Sequence, residues 1–166
     1  ANLIDFDAGP HEGAHGAVTY HPSGAAGSPC EAGGCLELGG PSTACADWDE
    51  RGPAAMLAFR LATISNQHQI RYRVRFQSST DSAPGLWWWE QSACSEEPSQ
   101  VIDGLSPLPA PDGPFTHASD WLDVDRPFCM GPEADKGMAI ALNCTDADPA
   151  PAVRLLVERV EVVAVE

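Results

Sequence analysis

The sequence predicts an all-β fold, an antiparallel β-sandwich or jelly roll with disulfide-stapled loops, and three observations carry that expectation. The run Ile70-Arg-Tyr-Arg-Val-Arg-Phe76 alternates without a break, so Ile70, Tyr72, Val74 and Phe76 share one face and Arg71, Arg73 and Arg75 the other. A helix would scatter the same residues around its circumference. Fifteen Gly and 15 Pro among 166 residues punctuate the chain too often for long helices. Six cysteines (Cys30, Cys35, Cys45, Cys94, Cys129 and Cys144) in a loop-rich chain read as a disulfide framework made in an oxidising compartment.

The elements follow in order. Asn2 to Gly9 reads as a short strand entering a turn, and Ala17 to Tyr20 as a second strand after a Gly/His loop. His21 to Gly34 is Gly/Ser/Pro-rich loop, Cys35 to Leu38 is extended, and Gly39 to Pro53 is loop again. Ala55 to Leu61 is an apolar run too short to choose between a strand and one or two helical turns. After Ile70–Phe76 come a turn over Asp81–Gly85, a strand over Leu86–Glu90 and another starting at Val101-Ile102. Pro107 to Pro114 reads as a Pro-rich insertion. Trp121–Asp125 and Met138–Leu142 alternate, and Val153–Val165 closes the chain as a long β-branched strand with a bulge near Arg159-Val160. No internal repeat or long linker divides the sequence, so a single domain over residues 1–166 is expected.

Charge and motifs narrow the function. The formal net charge is −15, from 24 acidic against nine basic side chains, with Lys136 the sole lysine. Such a field repels nucleic acid and anionic membranes. No stretch is apolar for long enough to span a bilayer as a helix, so membrane insertion is not expected. Spacing excludes a cysteine zinc site, because no C-x-x-C pair or suitably placed histidine is present. Six cysteines allow 15 pairings among which the sequence does not choose; the proposed set is Cys30–Cys35 around the Gly33-Gly34 turn and Cys129–Cys144 across a hairpin, leaving Cys45–Cys94 by elimination. A secreted or cell-surface location follows from these disulfides. A removed leader ahead of Ala1 fits that location, and the Ala/Pro/Gly/Asp/Arg bias fits a high-GC bacterial genome.

Taken together, Asn2-Leu-Ile-Asp-Phe-Asp-Ala-Gly9, Cys35-Leu-Glu-Leu38, Tyr72-Arg-Val-Arg-Phe76 and Leu155-Leu-Val-Glu-Arg-Val-Glu-Val-Val163 resemble a bacterial secreted carbohydrate-binding module of the galactose-binding-like jelly-roll type. The resemblance covers most of the chain as a strand rhythm, through short motifs. It implies a structural calcium ion joining the first and last strands, with Asp7 and Glu158 at the matched positions. Calcium does seek several hard oxygen ligands. The last strand departs from the family, reading Glu158-Arg159 where an Asp pair is expected, and the cysteines and the Pro107–Pro114 insertion are also unusual. The alternative is that Asp7 caps a turn and Glu158 lies on a solvated face.

Two features suit a ligand. Trp87-Trp88-Trp89 places two indoles on one strand face and one on the other, and an exposed indole is a flat platform for a sugar ring. The bland reading buries all three. Arg71, Arg73 and Arg75 form a row that either pairs with surface carboxylates or grips hydroxyls or a sugar carboxylate. If the tryptophan strand lay beside the arginine strand, the two would make one sugar-binding surface. Asp120, Asp123, Asp125, Asp146 and Asp148 suit solubility better than calcium, and His11, His15 and His21 offer only a weak metal pattern. No G-x-S-x-G, H-E-x-x-H or phosphate-cradling glycine loop appears. The expectation is therefore a non-catalytic carbohydrate-binding module with a polysaccharide or glycan partner. The alternatives are a structural subunit of a surface layer, fibre or appendage that contacts other surface proteins or its own copies, and a jelly-roll polysaccharide-active enzyme.

Overall fold

In a computed structural model the structure describes residues 2–3, 14–31, 33–44, 55–60, 68–81, 87–91, 98–101, 104–128, 137–143 and 151–164. Every regular element among them is a strand. In chain order these are β1 (Asn2–Leu3), β2 (Ala14–Gly16), β3 (Val18–His21), β4 (Cys35–Ala44), β5 (Ala55–Arg60), β6 (His68–Ser78) and β7 (Trp87–Gln91). They continue with β8 (Pro98–Val101), β9 (Ser106–Asp112), β10 (Phe115–Ala118), β11 (Leu122–Phe128), β12 (Gly137–Asn143) and β13 (Ala152–Ala164).

All pairings are antiparallel and fall into two sheets. The first runs β3-β4-β13-β6-β10-β9, with β1 on β13 and β11 on β6; the second runs β2-β5-β12-β7-β8. The pairs nest: β4 takes β13, β5 takes β12, β6 takes β11 and β7 takes β8, alternating between sheets. That double wrapping is a jelly roll, with the β9–β10 hairpin inserted before β11. The all-β expectation holds.

The arginine-strand reading fixes the core. Tyr72, Val74 and Phe76 are buried on the inner face of β6, next to Leu155 and Val157 of β13 and Leu36 and Leu38 of β4. Ile140 and Leu142 of β12 are buried too. At Gly39 an added Cβ would lie 2.6 Å from the Val153 carbonyl oxygen of neighbouring β13 and 2.9 Å from Leu142 Cδ2 of the facing sheet. Gly39 also has φ +86°, a conformation that glycine adopts freely.

One expectation needs correction, and the structure completes two others. Gly39 to Pro53 is not loop throughout, because β4 continues to Ala44, and Gly39 and Gly40 serve close packing inside the strand. The run at Ala55, left open between strand and helix, is β5, decided by its pairing with β12. The Pro107 to Pro114 insertion forms most of the β9–β10 hairpin. Pro107, Pro109 and Pro111 sit at alternate positions of the sheet's edge strand, so the amides they lack all fall on one side. The bulge near Arg159-Val160 is present: the register shifts between Glu158 and Glu161, and Arg159 has φ +54°. Cys30–Cys35 is a disulfide, as expected. Cys45, Cys94, Cys129 and Cys144 lie outside the described residues, and so does any test of their pairing.

Candidate functional site

The face of the first sheet opposite the core is a lattice of charge built by register. On β6, Arg73 stands between Glu158 of β13 and Asp123 of β11, and Arg71 stands between Glu161 and Asp125. Residues in register across antiparallel strands share a face, which makes such opposite-charge pairs favourable. Glu158 and Glu161 are three positions apart and would ordinarily point to opposite faces. The extra residue of the β13 bulge restores the alternation, so both stand opposite arginines.

Arg73 is the hub. Its Nη1 donates to Glu31, which reaches in from the disulfide loop, and to Glu158 Oε1 at 3.2 Å. Its Nε lies 2.8 Å from Asp123 Oδ1, and its guanidinium sits 5.4 Å from the ring centre of Trp121. Burial acts to lower its pKa, but the Glu31 hydrogen bond and the charges of Glu31, Asp123 and Glu158 outweigh that and hold it above the ordinary value. Arg73 is therefore cationic at any working pH. Arg71 Nε donates to Asp125 Oδ2 at 3.0 Å in a half-exposed pair. Arg75 does something else: its Nε donates to the Ser119 carbonyl at 3.0 Å, and the Ser119 hydroxyl accepts from the Phe76 amide, which fixes the corner between β10 and β11.

Beside this lattice a cleft of about 280 Å³ opens at the bulge, lined by Arg71, Arg73, Asp123, Asp125, Arg159 and Glu161. Trp121, partly exposed, stacks on Arg73. Guanidinium donors and carboxylate acceptors therefore alternate around one concavity. Such an arrangement can satisfy a ligand that carries both hydroxyl oxygens and hydroxyl protons.

Of the expected ligand residues, Arg71 and Arg73 line the cleft and Arg75 does not. The shared Arg–Trp surface needs correction: the tryptophan strand, β7, pairs with β12 and β8 in the second sheet and nowhere adjoins β6. Strand order, which alternation along one segment does not carry, is the reason. Trp88 holds the register position opposite buried Leu142, while Trp87 faces Asn143 and Trp89 faces Ala141 along the ladder; the three indoles themselves lie outside the described side chains. For the calcium expectation, Asp7 lies outside the described residues, and Glu158 is fully buried with Arg73 beside it. β1 does pair with β13, so the first and last strands adjoin. Among the described residues no group of three or more His, Cys, Asp or Glu side chains is gathered as for a metal ion. His21 instead lies 3.3 Å from Glu37.

Sequence reasoning missed two things. Trp121 was read only as a strand residue, although it shares alternation with Asp123 and Asp125; the β6–β11 register was the missing signal. It also missed a buried network around Arg154, which pairs with Glu37 at 2.8 Å and Asp112 at 2.6 Å, donates to Gln77, and sits 4.3 Å from the Phe115 ring centre. A lone Arg inside an apolar strand gives no hint of partners 42 and 117 positions away.

The fold defines a class, the antiparallel jelly-roll sandwich. Within that class the chain is similar in structure to the K1 cleaved adhesin domain of Lys-gingipain (Kgp) from Porphyromonas gingivalis W83, with a TM-score of 0.56 over 99% of this chain and 98% of that one. The two are 15% identical, so the likeness is one of fold. No protein-family model and no curated protein matches the sequence. No helix among the described residues is long and apolar enough to cross a membrane.

Proposed function

We propose that this chain is a non-catalytic carbohydrate-binding domain of a bacterial extracellular or surface protein. The observation that carries the reading is the cleft at the β13 bulge, where Arg71, Arg159, Asp123 and Asp125 converge beside Arg73, whose guanidinium lies over the Trp121 ring. Paired donors and acceptors beside an aromatic ring are what a polyhydroxylated ring requires: hydrogen bonds around its rim and apolar contact on its face. The jelly-roll fold, shared with an adhesin domain, and the Cys30–Cys35 disulfide support an extracellular adhesive setting. The Trp87–Trp89 strand remains a second candidate platform, on the other sheet.

Glycan-array binding followed by affinity electrophoresis on polysaccharides tests the reading. The wild type should be retarded by at least one glycan, and Asp125→Ala or Trp121→Ala should weaken that binding about tenfold or more, at roughly 1–3 kcal/mol for a stacking or charged hydrogen-bond contact. Retardation by none would sink the carbohydrate reading. Release of product from a retarding polymer would move the chain to the enzyme class. A change of oligomeric state in the tryptophan variants, without glycan binding, would support the assembly role instead. Against assembly by strand addition at β9 stand its three prolines, which blunt that edge.

A further inference from the structure

The charge lattice accounts for Arg71 and Arg73 but not for Arg159. Its φ of +54° is a left-handed conformation disfavoured for a residue with a Cβ. A glycine would hold the same bulge without that strain, so what arginine adds is its side chain. That side chain is exposed and lines the cleft. Among the described residues no ion pair or hydrogen bond occupies its guanidinium. A bulge beside a site commonly re-aims one residue, and local strain of this kind persists where the surroundings over-determine it. Here the ladder on both sides, Glu158 on Arg73 and Glu161 on Arg71, fixes the bulge between them.

The charges around Arg159 define the ligand it fits. Three guanidinium groups (Arg71, Arg73 and Arg159) meet five carboxylates (Glu31, Asp123, Asp125, Glu158 and Glu161), a balance of two negative charges in a chain of net −15. Arg71 and Arg73 already have carboxylate partners, so an acidic ligand finds Arg159 as its one unpaired cation among these groups and must then sit among five carboxylates. A neutral polyol escapes that repulsion. Asp123, largely exposed, and Asp125, half-exposed, accept hydroxyl protons, while the planar fork of Arg159 donates to two neighbouring hydroxyl oxygens.

Resting on the carbohydrate reading above, we infer that Arg159 is the ligand-gripping residue of the cleft, and that the cleft selects uncharged sugar units over those bearing carboxylate or sulfate. The test compares wild type with Arg159→Gly by affinity electrophoresis in neutral galactomannan, β-glucan and xylan, and in anionic polygalacturonate and alginate. Wild type should be retarded by a neutral polymer, and at least about tenfold less by either anionic one. Arg159→Gly should lose about tenfold or more in affinity for the neutral polymer, while its thermal midpoint stays level or rises as the strain is relieved. Equal retardation of Arg159→Gly and wild type overturns the role of Arg159. Preferential retardation of wild type by an anionic polymer overturns the selectivity. If wild type is retarded by nothing, it is the carbohydrate reading that fails, and this inference falls with it.

Discussion

Replacing Arg154 by methionine removes the cation at the centre of the buried network while keeping most of the side chain's apolar stem. In the wild type, Arg154 and Glu37 have side chains only 6% exposed each, with 2.8 Å between them. Deleting Arg154 leaves the buried Glu37 carboxylate with His21, 3.3 Å away, as its remaining partner among the described residues, which costs up to about 3–5 kcal/mol. The arm to Asp112 contributes little, because that carboxylate is 56% exposed and is solvated once released. Lost stacking on Phe115 adds up to about 1 kcal/mol. For a domain of this size each kcal/mol moves the midpoint by about 2–4 °C, so Arg154→Met should melt about 6–24 °C lower. Urea denaturation with the Cys30–Cys35 disulfide kept oxidised gives the same quantity as a free energy. Adding Glu37→Gln to Arg154→Met should then recover about 1 kcal/mol or more, because the stranded charge is gone. A single-variant loss below about 1 kcal/mol, or a double variant that merely sums the two single losses, would refute the buried-pair account.

Gly39→Ala places a methyl group 2.6 Å from a backbone oxygen that cannot move aside, at a φ that alanine disfavours, and should cost about 2–5 kcal/mol in urea unfolding. Glu158→Gln should cost about 1–3 kcal/mol, since it weakens a charged hydrogen bond to Arg73 at a fully buried position. That loss should be the same in calcium chloride and in EDTA. A wild-type midpoint that falls in EDTA, with no such fall in Glu158→Gln, would place a calcium ion on Glu158 after all.

The sequence by itself determined what depends on neighbours along the chain. Alternation over Ile70–Phe76 is set by the two-residue period of a strand, and it correctly sorted core from arginine face. The bulge at Arg159-Val160 was legible because the Glu/Val alternation slips there, and Cys30–Cys35 because only a short turn separates the two residues. The tertiary structure decided everything that depends on which strands become neighbours. It sent the tryptophan strand to the opposite sheet, brought Trp121 and Glu31 to Arg73, and buried Arg154 among acids from β4 and β9. It also turned Gly39 from a loop signal into a packing requirement and the Pro-rich stretch into an edge strand. The physical reason is common to all of these. Strand pairing in a jelly roll joins segments far apart in sequence through backbone hydrogen bonds that are alike for most residues, so register and order emerge only when the two sheets close on one core.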